Sequence, residues 1–311
     1  MDSVVSATQG FPVMIGVDGS RNHLATVDLG VAEAVRRKAP LLIVHVWPGR
    51  YVGPFHPRTP VPTEADGQRL LDVAARRAEH NAPNLEIATD LVEGSASAAL
   101  VRRSAAARLL VVGHRDELPT RPSWGSTAAY LAHHSACPLL VHRGAAPERG
   151  PVVLAASARE GTSATVACAY EEAALSNTRL VAVHVWTHPT GRNAPSPMAA
   201  SSGYAADRQE AERHLAEALA GWTWSYPDLV VERLVLHDLD IAYTLERASR
   251  RGRLLVAGMG RNSRFAELLY GSLGTSLMRQ AACPVLLVPH GWHRPSAPTP
   301  IQGPAAATDP H

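Results

Sequence analysis

The sequence predicts two tandem α/β domains, each built on a doubly wound parallel sheet. Three observations carry this expectation. Short apolar runs alternate with helical patterns, the runs are continuous rather than alternating with polar residues, and the whole series returns once, in order.

The repeat bounds everything else. Leu41-Leu-Ile-Val-His-Val-Trp47 returns as Leu180-Val-Ala-Val-His-Val-Trp186, from position 41 to 180, an offset of 139. Arg108-Leu-Leu-Val-Val-Gly113 returns as Arg253-Leu-Leu-Val-Ala-Gly258, offset by 145. Trp124-Gly-Ser-Thr127 matches Tyr270-Gly-Ser-Leu273, and Ala136-Cys-Pro-Leu139 matches Ala282-Cys-Pro-Val285, both offset by 146. The order is kept and small loop insertions account for the drift. So long a period indicates duplicated domains rather than the ~20–50-residue units of stacked solenoids. The expected domains are 1–146 and 147–290, joined near Gly144–Gly150. Residues 291–311, rich in Pro, Ala and Gly, read as a disordered tail.

In chain order, the first-half strand candidates are Val13–Val17, Leu41–Trp47, Leu85–Val92, Leu109–Val112 and Leu139–Val141. Continuous apolar runs suit strands covered on both faces. Between the first two, Leu24, Val27, Val31 and Val35 recur at helical spacing. In the second half Ile241, Leu245 and Ala248 do so, with Asp238 or Asp240 set to cap. Right-handed crossovers then put ligands at the carboxyl ends of the strands, where strand order reverses.

Composition narrows the function. Of 311 residues 46% are apolar, enough for two cores, and only 5% are aromatic, so Ala, Val and Leu must fill them. A formal net charge of +2 gives no electrostatic case for nucleic acid or an anionic membrane. No apolar run approaches the ~20 residues of a membrane span, and Met1–Gly10 lacks the features of a signal peptide. Cys137, Cys168 and Cys283 are widely spaced with no CxxC, which suits a reducing cytoplasm.

The motif with most chemistry follows the fourth strand of the second half. Leu254-Leu-Val-Ala-Gly258-Met-Gly-Arg261 leads through nine residues to Gly271-Ser272, and Leu273, Leu277 and Ala281 then repeat at helical spacing. Glycines leaving a buried strand let backbone approach a ligand. Gly-Ser at a helix start offers N–H groups and a hydroxyl to phosphate oxygens. Here both halves, roughly 11–143 and 151–289, resemble the universal stress protein family. The resemblance implies a Rossmann-like sheet of strand order 3-2-1-4-5. It also implies ATP held by a glycine, two residues, a glycine, nine residues, then Gly-Ser or Gly-Thr.

The departures from that pattern rank the two sites. The second half keeps Gly258 and, 13 positions on, Gly271-Ser272. Its middle glycine is replaced by Arg261, with Gly260 one place early. Arg261 either grips phosphate oxygens or fills the cavity itself. In the first half Gly113 is followed by His114, Arg115 and Asp116, and Gly125-Ser126 comes one residue too soon. Pro119 and Pro122 stiffen that loop, and the Asp116 carboxylate repels a triphosphate unless a metal intervenes. The opening motif shows the opposite bias. Gly16-Val-Asp18-Gly-Ser20 carries the acid that in the family lies near the ribose, whereas Ala155-Ala-Ser157-Ala-Arg159 has Ser157 there. Val46 and Val185 match a position that lines the adenine in the family.

The expected cofactor-binding residues are therefore Val185, Gly258, Gly260, Arg261, Gly271, Ser272 and Leu273 in the second half. In the first half they are Asp18, Val46, Gly113, Gly125 and Ser126. ATP or a related adenine nucleotide is the expected cofactor, at most one per chain, with the role of magnesium left open. No catalytic or metal-binding residue is assigned. His45 and His184 read as packed, hydrogen-bonded strand residues. His133 and His134 adjoin on a helix and point apart. Cys137 and Cys283 read as small core residues. Gly258-Met-Gly-Arg-Asn-Ser263 is a poor dinucleotide fingerprint, since it follows the fourth strand, and there is no GKS/GKT loop, GxSxG or HExxH. The leading reading is a non-enzymatic protein acting through conformation or partners. A slow ATP hydrolase and a nucleotide-free interaction module stand as alternatives. Finally, Pro138–His142 and Pro284–Val288 are expected to pair within the chain as an internal pseudo-dimer. The loops Gly113–Gly125 and Gly258–Gly271 should then lie beside that interface, and further homo-oligomerisation is left open.

Overall fold

The structure is a computed structural model that describes residues 10–20, 22–49, 62–113, 126–143, 149–156, 163–186, 197–238, 240–259 and 281–293. Ten strands form one sheet, in the order β3-β2-β1-β4-β5-β10-β9-β6-β7-β8. In the first half these are β1 (Val13–Val17), β2 (Leu41–Trp47), β3 (Ile87–Glu93), β4 (Leu109–Gly113) and β5 (Leu139–His142). In the second they are β6 (Val152–Ala155), β7 (Leu180–Trp186), β8 (Val231–His237), β9 (Leu254–Met259) and β10 (Val285–Pro289). Read from its outer edge inward, each half has the order 3-2-1-4-5, and all strands within a half are parallel.

The continuous apolar runs serve two cores at once. Along β1 the side chains of Val13, Ile15 and Val17 join one core and Met14 the other; along β4 Leu109 and Val111 oppose Leu110 and Val112. Helices α1 (His23–Arg37), α2 (Glu64–Asn81), α5 (Ser163–Leu175) and α6 (Pro197–Leu219) cover the first face. Helices α3 (Ala96–Ser104), α4 (Ser126–His134) and α8 (Ile241–Ser249) cover the second, and the short α7 (Trp222–Ser225) packs at the rim. In α2 a capping box fixes the first turn: Thr63 Oγ1 accepts from the Asp66 N–H, and Asp66 accepts from the Thr63 N–H at 2.8 Å. Helices α1 and α5 both end on a left-handed residue, Lys38 (φ 50°) and Asn177 (φ 47°), at the repeat offset of 139.

Two sequence expectations need adjusting, and one choice between two residues is decided. β3 begins at Ile87 rather than Leu85 and is half-buried, because it is an edge strand with a neighbour on one side only. In α1 the buried face runs through Val27, Val31 and Ala34, while Val35 is 52% exposed. A stripe at spacings of three and four residues closes on Ala34 and leaves Val35 on the outer side. Asp240, not Asp238, caps α8, accepting from the Tyr243 N–H at 2.9 Å; Asp238 accepts from the Asp240 N–H at 3.0 Å.

The halves join through their final strands. β5 and β10 pair antiparallel, with Val285 opposite Val141, Leu286 opposite Leu140 and Leu287 opposite Leu139. At the repeat offset of 146, Leu140 corresponds to Leu286, and the other two pairs exchange under that correspondence. A pseudo-twofold axis therefore passes between Leu140 and Leu286. The loops expected beside this junction, 114–125 and 260–271, lie outside the described residues. Most of the expected tail, 294–311, does so as well.

Candidate functional site

β1 lies between β2 and β4, and β6 between β7 and β9, so strand order reverses at each first strand. After β1 the chain turns to the face of α1; after β4 it turns to the opposite face. In sheets of this kind such a reversal places a ligand crevice at the carboxyl ends of the strands.

On the first-half side of that crevice, Asp18 follows β1 directly and is exposed. Its Oδ1 accepts from the Ser20 N–H at 3.0 Å, an Asx turn helped by Gly19 at φ +70°. His23 opens α1 and donates through Nδ1 to the Ser20 carbonyl at 2.6 Å. Its Nε2 is buried and has no hydrogen-bond partner among the described residues.

The matched histidines make matched contacts. His45 Nδ1 donates to the Val17 carbonyl at 2.7 Å, and His184 Nδ1 donates to the Ala156 carbonyl at 3.0 Å. A carbonyl only accepts, so each ring carries its proton on Nδ1. Both are packed, hydrogen-bonded strand residues that clamp the end of β2 or β7 to the chain leaving β1 or β6. The next residues, Val46 and Val185, point to the opposite face, half-buried against the second core.

Gly113 ends β4 and Gly258 is next to last in β9, and their surroundings give glycine a packing cause. A Cβ on Gly113 would lie 2.8 Å from Thr26 Oγ1, and one on Gly258 would lie 2.6 Å from Thr165 Oγ1. Thr26 and Thr165 are buried and correspond at the offset of 139. Helices α1 and α5 thus approach the carboxyl ends of β4 and β9 so closely that no side chain fits. Sequence reasoning assigned these glycines to ligand approach and missed the two threonines, although the repeat marked both.

Gly260, Arg261, Gly271, Ser272, Leu273 and Gly125 lie outside the described residues. Ser126 opens α4, and its side chain also lies outside them.

A second matched pair escaped the sequence reading. Ser104 Oγ donates to the Val101 carbonyl at 2.7 Å and accepts from the Ala136 N–H at 2.9 Å. Ser249 Oγ donates to the Glu246 carbonyl at 2.6 Å and accepts from the Ala282 N–H at 3.0 Å. Each ties the end of a helix to the turn before the last strand. The repeat offset of 145 was the signal. Near the carboxyl ends of β7 and β8, the rings of Trp186, Tyr204 and His237 pack together with centroids 4.7–5.3 Å apart.

The titratable groups near these elements serve packing. Cys137 and Cys283 are buried, and burial pushes both thiols up to about 12. Burial, followed by the neighbouring His134, lowers the pKa of His133, and the two rings meet at 72°. Among the described residues no three His, Cys, Asp or Glu side chains are grouped to hold a metal. No helix among them is long and apolar enough to cross a membrane.

Comparison with known proteins agrees with this architecture. The profile described as the universal stress protein family matches residues 11–143 and 149–289. The universal stress protein Rv2005c of Mycobacterium tuberculosis is 29% identical over 292 residues, covering 88% of this chain and 96% of that protein. Rv2623 of the same organism is 27% identical over 296 residues, covering 91% and 97%. Among solved structures, a universal stress protein from Archaeoglobus fulgidus superposes with a TM-score of 0.65 at 13% identity, over 90% of this chain and 96% of that one.

Proposed function

We propose that this chain, which belongs to the universal stress protein family, binds one adenine nucleotide in its second half and acts through conformation or partners rather than turnover. The domains we assign to this reading are 1–146 and 147–290, working in the cytoplasm. ATP is the intended ligand. Val185, Gly258, Gly260, Arg261, Gly271, Ser272 and Leu273 are the residues assigned to it.

One observation carries the reading. Gly258 stands at the carboxyl end of β9, beside β6 where strand order reverses, and Gly271-Ser272 follows it at the family spacing. Strand-end glycine, crevice and a Gly-Ser pair to receive phosphate would then act together. In the first half Asp18, Val46, Gly113, Gly125 and Ser126 form the weaker counterpart. Its carboxylate already accepts from Ser20, and Asp116 stands in the loop. That favours contact surface over a second nucleotide site.

Absence of turnover follows from the same division. The family's strand acid is in the first half and the family-spaced glycine loop is in the second, so neither half combines a charged group near the ribose with a full phosphate cradle. Equilibrium dialysis of the intact chain with labelled ATP, after stripping co-purified nucleotide, tests the proposal. One equivalent bound without phosphate release supports it; two equivalents, none, or steady hydrolysis would each contradict it.

A further inference from the structure

Two halves with one fold present the same kind of edge, and backbone hydrogen bonds do not distinguish one from the other. Leu140 faces Leu286 across the pseudo-twofold axis, and either could face a copy of itself in the same register. Any discrimination must come from the helices beside the strands.

α1 and α5 meet there through charge. Glu33, Arg37 and Glu172 are buried, at 4%, 9% and 5% exposure. The Arg37 guanidinium donates to Glu33 on its own helix and to Glu172 on α5. Arg36 donates to Glu33 at 2.5 Å and to Ser176 Oγ at 3.1 Å. Arg108, just before β4, donates to Glu171 at 2.9 Å. In each of these three side-chain contacts between the halves, the arginine comes from the first and the acceptor from the second.

The repeat shows that this asymmetry lies in the sequence. At the offset of 139, Glu33 corresponds to Glu172, but Arg36 and Arg37 correspond to Leu175 and Ser176, and Ala32 to Glu171. Arg108 corresponds to Arg253. At these positions the first half carries three arginines and one glutamate, and the second two glutamates and one arginine.

We propose that Arg36, Arg37 and Arg108 against Glu171 and Glu172 form a pairing code that makes a second half the only fitting partner for a first half. Two second halves docked by the same operation would bury Glu172 of each against Ser176 of the other, with no guanidinium between them. Two first halves would bring Arg36 of each against Arg37 of the other. There each Arg37 would also meet Glu33 of both copies, but four guanidiniums would share two carboxylates; only the mixed pair balances two arginines, Arg36 and Arg37, against two glutamates, Glu33 and Glu172. Buried charges are tolerated when paired and strongly opposed when not, which is what makes such a set selective. The set behaves as a coupled unit. Burial pulls the Arg37 guanidinium down, yet Glu172 and Glu33 outweigh it and hold it above its ordinary value. Burial pushes the Glu172 carboxyl up, an effect Arg37 offsets only in part. The inference does not rest on nucleotide binding.

The test is charge reversal in the full chain, read by thermal midpoint and by sedimentation across a concentration series. Arg37→Glu and Glu172→Arg should each lower the midpoint and produce heavier, concentration-dependent species. The double variant restores a guanidinium between two carboxylates, so it should recover most of the midpoint and lose those species. If a reversal yields no soluble chain, Arg37→Met, Glu172→Gln and their combination read the same coupling, with the combination less damaging than the two losses added. Double variants as damaged as the two singles added, or singles that sediment and melt like the wild type, would overturn the code.

Discussion

Gly258→Ala separates the packing role of a site glycine from its expected ligand role. The new Cβ would stand 2.6 Å from Thr165 Oγ1 and 3.6 Å from Thr165 Cβ. Thr165 is 6% exposed within α5, and a β-branched residue in a helix has few rotamers to which it can retreat. The strand end must therefore shift, an overpacking cost of about 1–3 kcal/mol. Reduced freedom of the unfolded chain returns about 0.4–1 kcal/mol. The net loss of about 1–2 kcal/mol should lower the melting midpoint of the second half by about 3–6 °C. Differential scanning calorimetry on the ligand-free chain measures this. In a Thr165→Ala background the penalty should nearly vanish, whereas Thr165→Ser keeps the oxygen and should preserve it. An equal penalty in all three backgrounds would refute the argument that α5 dictates this glycine.

Three further outcomes follow from the matched contacts and the buried charges. Ser249→Ala removes the acceptor of the part-buried Ala282 N–H and should cost about 0.5–1.5 kcal/mol in urea unfolding, with Ser104→Ala similar; no measurable loss in either variant would contradict it. In the native protein a disulfide reagent at pH 8 should leave all three thiols unmodified, since burial raises each, and should titrate all three after denaturation. The raised pKa of Glu172 means the folded chain takes up its proton at higher pH than the unfolded chain. Its contribution to stability is thus fully present below the unfolded value and lost as pH rises through the folded one. Wild type should gain stability relative to Glu172→Gln as pH falls from 7 toward about 4.5, and an opposite trend in paired urea titrations would reverse the assignment.

The sheet was legible in the sequence because strands covered on both faces must be apolar throughout. Val13–Val17 and Leu41–Trp47 coincide with β1 and β2 for that reason. β3 was less legible because an edge strand lacks that double cover, and Leu85 joins the turn before it, its N–H bonding the Ala82 carbonyl at 3.0 Å. The junction of the halves could be argued because two unpaired apolar edges in one chain have reason to meet. The reason for glycine at 113 and 258 was hidden, since it lies in helices 87 and 93 positions earlier in the chain. Thr26 and Thr165 look like ordinary helix residues until packing brings them to a strand end. The charge code was equally concealed. Glu33 and Arg37 read alone as an i, i+4 surface pair, and only the fold buries them against Glu172.

We propose a single nucleotide per chain, bound in the second half. Equilibrium dialysis with labelled ATP should compare the wild-type chain with Gly271→Asp and Gly125→Asp, each first shown to melt as a folded protein. A carboxylate set among phosphate oxygens is repulsive, so Gly271→Asp should abolish binding while Gly125→Asp leaves about one equivalent bound. Equal weakening by the two substitutions, or loss on Gly125→Asp alone, would contradict the assignment of the site to the second half.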